Sequence, residues 1–272
     1  MGLRDILDDS KVICKDWKQK GVYRYLDSLY DEIWVYGNKD IYNPIEQYRI
    51  PDSIKEKVFF TGYIPRKKIS ADVRNKIRKE FRIFEDDIFI LVTTGGGGDG
   101  SEVLENYVAL HDQYPVSLPY KSVMITGPFM PKEKRESLRN RAQQYGIETL
   151  PFHPRMEELM KAADLVISMG GYNTFCEILT QGTPALIIPR ESPRQEQLIR
   201  AQCMYSRGLI DYIPWTKVNP TLLREKIVSM LSQSPEYKEK MSNFVLSGLD
   251  SMRDRLTHFR ENNIDKNFPP NS

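Results

Sequence analysis

Short apolar runs and amphipathic stretches alternate along most of the chain, and this alternation predicts the elements of the fold. The runs 88–93 and 165–168 are rich in branched residues and apolar on both faces, and a helical pattern of ordinary length follows each. Such strands are typical of a parallel sheet covered by helices on both sides, so we predict a doubly wound parallel α/β sheet. Its predicted strands are 88–93, 122–126, 147–150, 165–168 and 185–188, and its predicted helices are 103–111, 132–145, 156–163, 174–181, 195–207 and 222–231.

The two ends of the chain show a sparser pattern. The first part predicts one amphipathic helix over 9–29 and strands over 32–36 and 58–61, which is enough only for a partial second α/β unit. Near the other end, Ser234 and Pro235 fit the cap and the first position of one long amphipathic helix. The predicted domains are 1–67 for the partial unit, 68–80 for a linker, 81–233 for the main domain, and 234–272 for the C-terminal helix with a frayed tail.

Composition and charge exclude several classes of protein. The 272 residues include 39 Lys and Arg against 37 Asp and Glu, and this balance argues against a dedicated nucleic-acid binder. The longest apolar stretch, 174–189, is interrupted by Glu177 and Gln181, so we predict no membrane span. The N-terminus has no apolar signal core, and the three cysteines form neither a zinc nor a disulfide pattern. We therefore expect a cytoplasmic protein with no nucleic-acid partner.

A glycine-rich loop follows the first strand of the main domain. Gly95, Gly97 and Gly100 match the spacing G-x-G-x-x-G of dinucleotide sites, but the next strand ends at Gly127 without the acid that would hold a ribose. A triphosphate-binding loop is excluded because Ser101, not Lys, follows the last glycine. A flexible loop without a ligand is the plain alternative. We favour phosphate contact, because consecutive glycines are costly in conformational entropy.

A second loop, after the fourth predicted strand, opens a helix. Gly170 and Gly171 expose backbone donors there, and Asn173 or Thr174 can cap the helix. Glu177 lies one turn further along, where its carboxylate can accept hydrogen bonds from the vicinal hydroxyls of a ribose. The alternative is that Glu177 is only an acid favoured by the helix dipole.

The loop after the last predicted strand leads into another helix. Glu196 and Gln197 at its start are suited to sugar hydroxyls, and Arg190 and Arg194 lie just before them. By spacing alone, this loop is equally well interpreted as a solvated helix cap.

Taken in order, these motifs resemble the C-terminal, donor-binding domain of GT-B glycosyltransferases, and in particular glycosyltransferase family 28. The similarity runs from about residue 59 to residue 231. The segments that carry it are 163–168, 170–174, 177–179, 182–184, 187–189 and 195–197.

The resemblance implies inverting, metal-independent transfer from a nucleoside diphosphate sugar, most simply a UDP-sugar, with no cofactor and no metal. The absence of an Asp-x-Asp element agrees with metal independence. In the family, the glycine loop lies beside the diphosphate, the second loop binds phosphate, the helix Glu holds the ribose, and the acid–amide pair touches the sugar. The loop at Phe152 and His153 would read the base, although an ordinary loop histidine is an equal interpretation of His153. The implied donor-binding residues are Gly96, Gly97, Gly98, Gly127, Phe152, Gly170, Gly171, Tyr172, Asn173, Thr174, Glu177, Glu196 and Gln197.

This sequence departs from the family pattern at two places. Gly98 and Asp99 replace a Ser and a Gln found in the peptidoglycan subgroup, and Glu196 replaces the first of two glutamines, which leaves the sugar and the base open. Residues 1–67 resemble only the last part of the family's N-terminal, acceptor-binding domain, which usually supplies the catalytic base. Asp99 and Asp5 are the candidates for that role here. The resemblance also implies that the C-terminal helix of 234–272 returns to this N-terminal unit.

These departures suggest that the chain alone binds donor and transfers sugar poorly. The resemblance then implies a separate acceptor-domain chain or self-association through the first unit as partner, and peripheral membrane contact if the acceptor is a lipid. The alternative functions are a non-catalytic nucleotide-sugar-binding subunit of a split transferase and, less favoured, an NAD-dependent dehydrogenase.

Overall fold

The computed structural model describes residues 1–114 and 118–267. The chain divides into two compact units, each of which is an α/β structure. The first unit comprises Met1–Ile6, Ser10–Pro65 and the chain from Val245 onward, and the second comprises Leu7–Asp9 and Arg66–Phe244.

The first unit contains a three-stranded parallel sheet with the strand order β1-β2-β3. Its strands are β1 (Gly2–Arg4), β2 (Ile33–Tyr36) and β3 (Val58–Phe60), and its helices are α1 (Ser10–Gln19), α2 (Val22–Leu29), α3 (Pro44–Gln47), α4 (Asp52–Lys55) and α13 (Gly248–Asn267). Ile33 and Val35 on β2 are fully buried because this strand lies in the centre of the sheet. The sequence pattern did not predict β1, α3 or α4, which are too short to produce a clear period.

The single helix predicted over 9–29 is wrong, because the chain forms two helices there. Gly21 has φ +65°, in the left-handed region, so the α1 conformation ends before α2 begins. Each helix buries its own apolar residues, Trp17 from α1 and Leu26 from α2. The amphipathic period continues across the break, and the sequence alone therefore reads as one helix.

The single long helix predicted from Ser234 is also divided. The chain forms α12 (Ser234–Ser242) in the second unit and α13 in the first. At the start of α13, a Cβ on Gly248 would lie 2.7 Å from the Tyr63 carbonyl oxygen, so the backbone there packs closely against the segment after β3. The tail predicted to be frayed, 267–272, lies outside the described residues apart from its first residue.

The second unit contains a six-stranded, fully parallel sheet with the order β6-β5-β4-β7-β8-β9, as the doubly wound pattern predicted. Residues 89–92 of the central strand β4 are completely buried because helices cover both faces of the sheet. The strands are β4 (Ile88–Thr93), β5 (Tyr120–Ile125), β6 (Glu148–Leu150), β7 (Leu165–Ser168), β8 (Ala185–Ile187) and β9 (Asp211–Tyr212). The helices are α5 (Ala71–Glu80), α6 (Ser101–Gln113), α7 (Lys132–Gln143), α8 (Met156–Ala162), α9 (Tyr172–Gln181), α10 (Glu196–Tyr205), α11 (Pro220–Ser232) and α12, with a short 3-10 turn at Trp215–Lys217.

The strand order reverses between β4 and β7. From β4 the chain builds β5 and β6 on one side and then returns to build β7, β8 and β9 on the other. Thr93 pairs with Ser168, so both strands end at the same level of the sheet. In open α/β sheets, ligands bind outside the carboxyl ends of the strands at such a switch point.

The segment predicted as a linker, 68–80, contains the helix α5. Contacts of a buried arginine, Arg78, join this helix to the sheet. Arg78 donates to the carbonyl oxygens of Phe84 (2.7 Å) and Ala162 (3.3 Å) and forms an ion pair with Asp164 at 3.2 Å. Asp164 also accepts a hydrogen bond of 2.8 Å from the Phe89 N–H at the start of β4. Because α5 has few apolar positions, its pattern did not predict a packed helix.

Replacing Arg78 with Met should destabilise the second unit by about 3 kcal/mol, because Asp164 and several carbonyl groups lose their buried donor. The matched control is Arg74→Met, which removes the more exposed partner of the same carboxylate and should cost less than about 1 kcal/mol. Urea unfolding of both variants measures the difference. Equal losses would show that the buried network has no special role.

Candidate functional site

Glycine residues bring the loops after β4 and β5 into direct backbone contact. In the glycine loop (94–100, between β4 and α6), Gly97 has φ +81°, and a Cβ there would lie 2.2 Å from the Thr126 carbonyl oxygen. In the turn after β5, Gly127 has φ +87°, and its Cβ would lie 2.5 Å from the Gly97 nitrogen. Only glycine allows both the conformation and the approach. The two turns therefore form one continuous surface at the end of the sheet.

The loop after β7 lies against this surface. A Cβ on Gly100 would lie 2.6 Å from the Met169 sulfur, and a Cβ on Gly170, where φ is +76°, would lie 2.7 Å from Ile187 Cγ2. Phe129, 77% exposed, donates its backbone N–H to the Gly96 carbonyl at 3.0 Å. The loops that follow β4, β5 and β7 thus meet at the switch point, next to the last residue of β8.

Two of the predicted glycines face open space instead. Apart from the neighbours in the chain, no atom of the described residues lies within 4 Å of the Cβ position at Gly98 or at Gly171. Gly171 is the N-cap of α9, and no side chain caps this helix; Asn173 and Thr174, predicted as possible caps, do not serve as caps. No side chain therefore satisfies the N–H groups of Asn173 and Thr174 at the start of α9, and the helix dipole favours a negative acceptor there. Anion binding is the chemistry to which this arrangement is best suited.

A buried arginine supports the same loop. Arg200 Nη1 donates to the Gly170 carbonyl at 3.4 Å, and its guanidinium carbon lies 5.6 Å from the centre of the buried Tyr172 ring. Its positive charge adds to the potential at the start of α9.

Glu177 lies one turn into α9 and is half-buried. Burial and then the neighbouring Glu157 raise the pKa of this carboxyl, Arg66 opposes the rise, and the resulting pKa is about 6. The Glu177 carboxylate accepts no hydrogen bond from the described residues. It is a desolvated acceptor that hydroxyl donors of a ligand would stabilise.

Arg66 is a site residue that the sequence analysis missed. Its backbone N–H donates to the Thr180 hydroxyl at 2.9 Å, which fixes it beside α9 although the two residues are 114 positions apart. Gln181 holds the same segment, since its Nε2 donates to the Lys67 carbonyl at 2.7 Å. Arg66 Nε is buried and has no hydrogen-bond partner within the described chain. No sequence period connects a loop arginine to a helix so far along the chain.

The loop after β8 is organised by Arg190. Its guanidinium forms ion pairs of 2.6 Å with Asp99 in the glycine loop and 2.6 Å with Glu196 on α10. Its backbone N–H donates to Gln197 Oε1 at 3.0 Å. Asp99, predicted as a candidate catalytic residue, is therefore engaged in an ion pair, and the interpretation of this loop as a mere solvated cap does not account for these contacts.

The start of α10 is held by further buried contacts. The Gln195 N–H donates to Asp8 Oδ1 at 2.7 Å, and the Trp215 N–H donates to Glu191 Oε1 at 2.8 Å. These bonds fix both ends of the loop that carries Arg190.

The remaining predicted residues have different surroundings. Phe152, in the loop after β6, is 60% exposed and available to a ligand. His153 is buried, packs against Phe81 with ring centres 5.9 Å apart, and accepts a hydrogen bond from the Arg155 N–H. Burial and Arg155 lower the pKa of the His153 imidazole. His153 thus serves as a packed loop residue.

Asp5 lies in the first unit, whereas every predicted donor-binding residue lies in the second. It is buried, and both of its oxygens accept hydrogen bonds of 2.7 Å, from the Tyr63 hydroxyl and from the Ile6 N–H. The Asp5 carboxylate therefore has a structural role in the first unit.

Within residues 1–114 and 118–267, no group of three His, Cys, Asp or Glu side chains is arranged to hold a metal ion. Nor does any helix in those ranges combine the length and apolarity needed to cross a membrane.

Comparison with known proteins identifies the domain. Residues 89–256 match the family model of the glycosyltransferase family 28 C-terminal domain. One relative is the UDP-N-acetylglucosamine–N-acetylmuramyl-(pentapeptide) pyrophosphoryl-undecaprenol N-acetylglucosamine transferase of Thermodesulfovibrio yellowstonii, 30% identical over 190 residues, which are 69% of this chain and 50% of that protein. Another is an uncharacterized glycosyltransferase of Methanopyrus kandleri, 25% identical over 207 residues, which cover 76% of this chain and 55% of that protein. The chain thus spans about half the length of these curated relatives.

Solved structures show the same fold. MurG of Acinetobacter baumannii superimposes with a TM-score of 0.59 at 15% identity, covering 92% of this chain and 78% of that one. A ugt transferase from Siraitia grosvenorii, solved in complex with UDP, gives a TM-score of 0.60 at 13% identity, with coverage of 89% and 62%. The architecture is therefore that of GT-B glycosyltransferases. Since the family model covers more than half of its length, this chain belongs to glycosyltransferase family 28 and carries the family's C-terminal domain.

Proposed function

We propose that the second unit binds a nucleoside diphosphate sugar, a UDP-sugar, as the donor for inverting and metal-independent glycosyl transfer. The observation that carries the proposal is the pairing of an uncapped helix start with a desolvated carboxylate one turn later, at the switch point of the sheet. The first suits a phosphate and the second suits the hydroxyls of a ribose. The relatives' printed names, which include UDP-N-acetylglucosamine as donor, support the choice of nucleotide.

Each part of the donor has a counterpart in the loops. The diphosphate would lie in the open space beside Gly98 and Gly171, the ribose on Glu177, and the base near Phe152. The sugar would meet the acid–amide pair at the start of α10. Backbone N–H groups and the dipole of α9 would stabilise the negative charge of the leaving diphosphate, so that this charge needs no metal ion.

Inverting transfer breaks the bond between the anomeric carbon and the diphosphate oxygen while the acceptor oxygen bonds to the opposite face of that carbon. A base must take the proton of the acceptor hydroxyl. We do not assign this role to Asp5, whose oxygens are both engaged, and Asp99 could take it only on release from Arg190.

The alternative function is that of a donor-binding subunit that acts with a separate acceptor-domain chain. The observation that favours it is that both candidate bases, Asp5 and Asp99, are engaged in other contacts within the described residues. Turnover of a UDP-sugar by the purified protein with a broad acceptor mixture separates the two: turnover supports a self-sufficient transferase, and donor binding without turnover supports the subunit. A dehydrogenase is disfavoured, because β5 is followed by Thr126 and Gly127 and not by an acid that could hold the ribose of NAD.

Replacing Glu177 with Ala should weaken UDP binding by about 1–3 kcal/mol, because the ribose hydroxyls lose their acceptor. Isothermal titration calorimetry measures the change. Glu157→Gln is the matched control, since Glu157 influences Glu177 only through its charge and should leave UDP affinity within about twofold. Tight NAD binding without any response to UDP would contradict the proposal.

Gly171→Val should abolish measurable UDP binding without loss of fold. The position has φ −60° and an open Cβ site, so the protein tolerates the side chain, but its branches would fill the space proposed for the phosphate. Thermal unfolding checks stability and calorimetry checks binding. Normal UDP affinity in this variant would place the phosphate elsewhere.

The affinity for a UDP-sugar should fall by about tenfold between pH 7.5 and pH 5, because the raised pKa of about 6 leaves Glu177 mostly protonated, and a poorer acceptor, at the lower pH. A UDP-sugar is the right probe, since its esterified diphosphate has no proton that titrates in this range. The same titration of Glu177→Gln removes this carboxyl and should show a flat profile. Parallel profiles would assign the pH dependence to another group.

A further inference from the structure

Arg190 connects more of the proposed sugar subsite than any residue singled out by the sequence motifs. It contacts Asp99 and Glu196 through its guanidinium and Gln197 through its backbone N–H. These partners come from two separate loops, the glycine loop and the start of α10. The Arg190 side chain is 23% exposed and the Glu196 side chain 18% exposed, so solvent screens their interaction only in part.

The ion pair between Arg190 and Glu196 is incomplete. An arginine and a carboxylate can make two parallel hydrogen bonds, but here only the bond between Nη2 and Oε1 forms. Arg190 Nε and Glu196 Oε2 are both buried and lack hydrogen-bond partners within the described chain. A buried acceptor without a donor is costly, and a ligand hydroxyl would relieve that cost.

Arg190 also fixes the orientation of the neighbouring amide. Because Gln197 Oε1 already accepts from the Arg190 N–H, the amide NH₂ group is the part left for a ligand. Glu196 then offers an acceptor and Gln197 a donor, which is the combination that a sugar hydroxyl can use.

The charge of the cluster restricts the ligand further. Two carboxylates, Asp99 and Glu196, share one guanidinium, so the cluster has a net charge of −1. Both Nη atoms of Arg190 are already occupied by these carboxylates. A sugar carboxylate would meet repulsion without a free cation to offset it.

We propose that Arg190 is a positioning residue that orients Glu196 and Gln197 for the donor sugar, and that its shared ion pairs with Asp99 and Glu196 select an uncharged hexose over a uronic acid. This inference rests on the proposed function, because it names the sugar class for that donor site.

The test compares UDP, UDP-glucose and UDP-glucuronate by calorimetry. The two sugars differ only at C6, where glucuronate carries a carboxylate. The wild-type protein should bind UDP-glucose about tenfold more tightly than UDP-glucuronate. Arg190→Met should weaken UDP-glucose more than UDP and widen the gap between the two sugars, since the carboxylates lose their cation. Asp99→Asn should narrow the gap, since it removes one negative charge.

Two further variants separate positioning from a general structural effect. Arg194→Met changes an exposed arginine of the same loop that has no ion pair in the described chain, and it should leave all three affinities unchanged. Arg190→Lys keeps the charge without the planar fork, so it should bring the gap between the two sugars back toward the wild-type value and restore only part of the UDP-glucose affinity.

Three results would overturn the inference. Equal wild-type affinities for UDP-glucose and UDP-glucuronate would show that the cluster does not select the sugar by charge. An equal loss of affinity for UDP and for both UDP-sugars in Arg190→Met would show that Arg190 has only a structural role. In both cases, UDP binding by the wild-type protein would leave the proposed function intact. Failure of the wild-type protein to bind UDP would overturn both.

Discussion

The pairing of β4 with β7 is the constraint on which the rest of the site depends. Because Thr93 and Ser168 are opposite one another, the glycine loop and the loop before α9 leave the sheet at the same level and must share the space above it. Side chains would not fit: Cβ atoms at Gly97, Gly100 and Gly170 would all lie within 3 Å of atoms in neighbouring segments. The glycines are therefore needed first for packing. The close contacts between the segments occur at those glycines, so the open positions at Gly98 and Gly171 remain available to a ligand.

The site is also strongly shaped by charge. The features that favour an anion lie after β7: the start of α9 has no side-chain cap, and Arg200 donates to the Gly170 carbonyl beside it. The negative charges lie elsewhere, since Asp99 in the glycine loop and Glu196 at the start of α10 both pair with Arg190. A ligand that is anionic at one end and neutral at the other fits this division. A nucleoside diphosphate linked to a hexose is such a ligand, and this is why the proposal concerns the whole donor and not phosphate alone.

The sequence was sufficient for the elements whose periodicity is strong. The strand over 165–168 and the helix after it appear as predicted, because buried strands and their following loops are local features. The failures have particular causes. The break at Gly21 lies inside a continuous amphipathic period. The helix α5 is so polar that its buried residues are Ile77 and Arg78, which are too few to show a period.

The site residues show the same limit. Glycine loops and Glu177 are found from motifs, but the ion pair between Arg190 and Asp99 joins residues 91 positions apart, and the Arg66 contact joins residues 114 positions apart. Only the folded sheet brings such partners together. A motif can therefore indicate which residues touch a donor, whereas the residues that orient them are found from the tertiary structure.

Within the described residues, buried polar atoms without a hydrogen-bond partner occur both at the proposed site and in a structural network. Arg66 Nε, Arg190 Nε and Glu196 Oε2 have this property, and so does Arg78 Nε. The difference lies in the other atoms of each side chain. Both Nη atoms of Arg78 donate hydrogen bonds to backbone or carboxylate oxygens. Its Nε is therefore the one unsatisfied atom of a guanidinium group whose other donors are satisfied within the described chain. Around the proposed donor site, the unpartnered atoms include a carboxylate oxygen, and Glu177 adds a carboxylate with a raised pKa. Free energy that folding leaves unrecovered in these groups is available to a ligand that supplies hydroxyl donors, which is what a ribose and a hexose would bring.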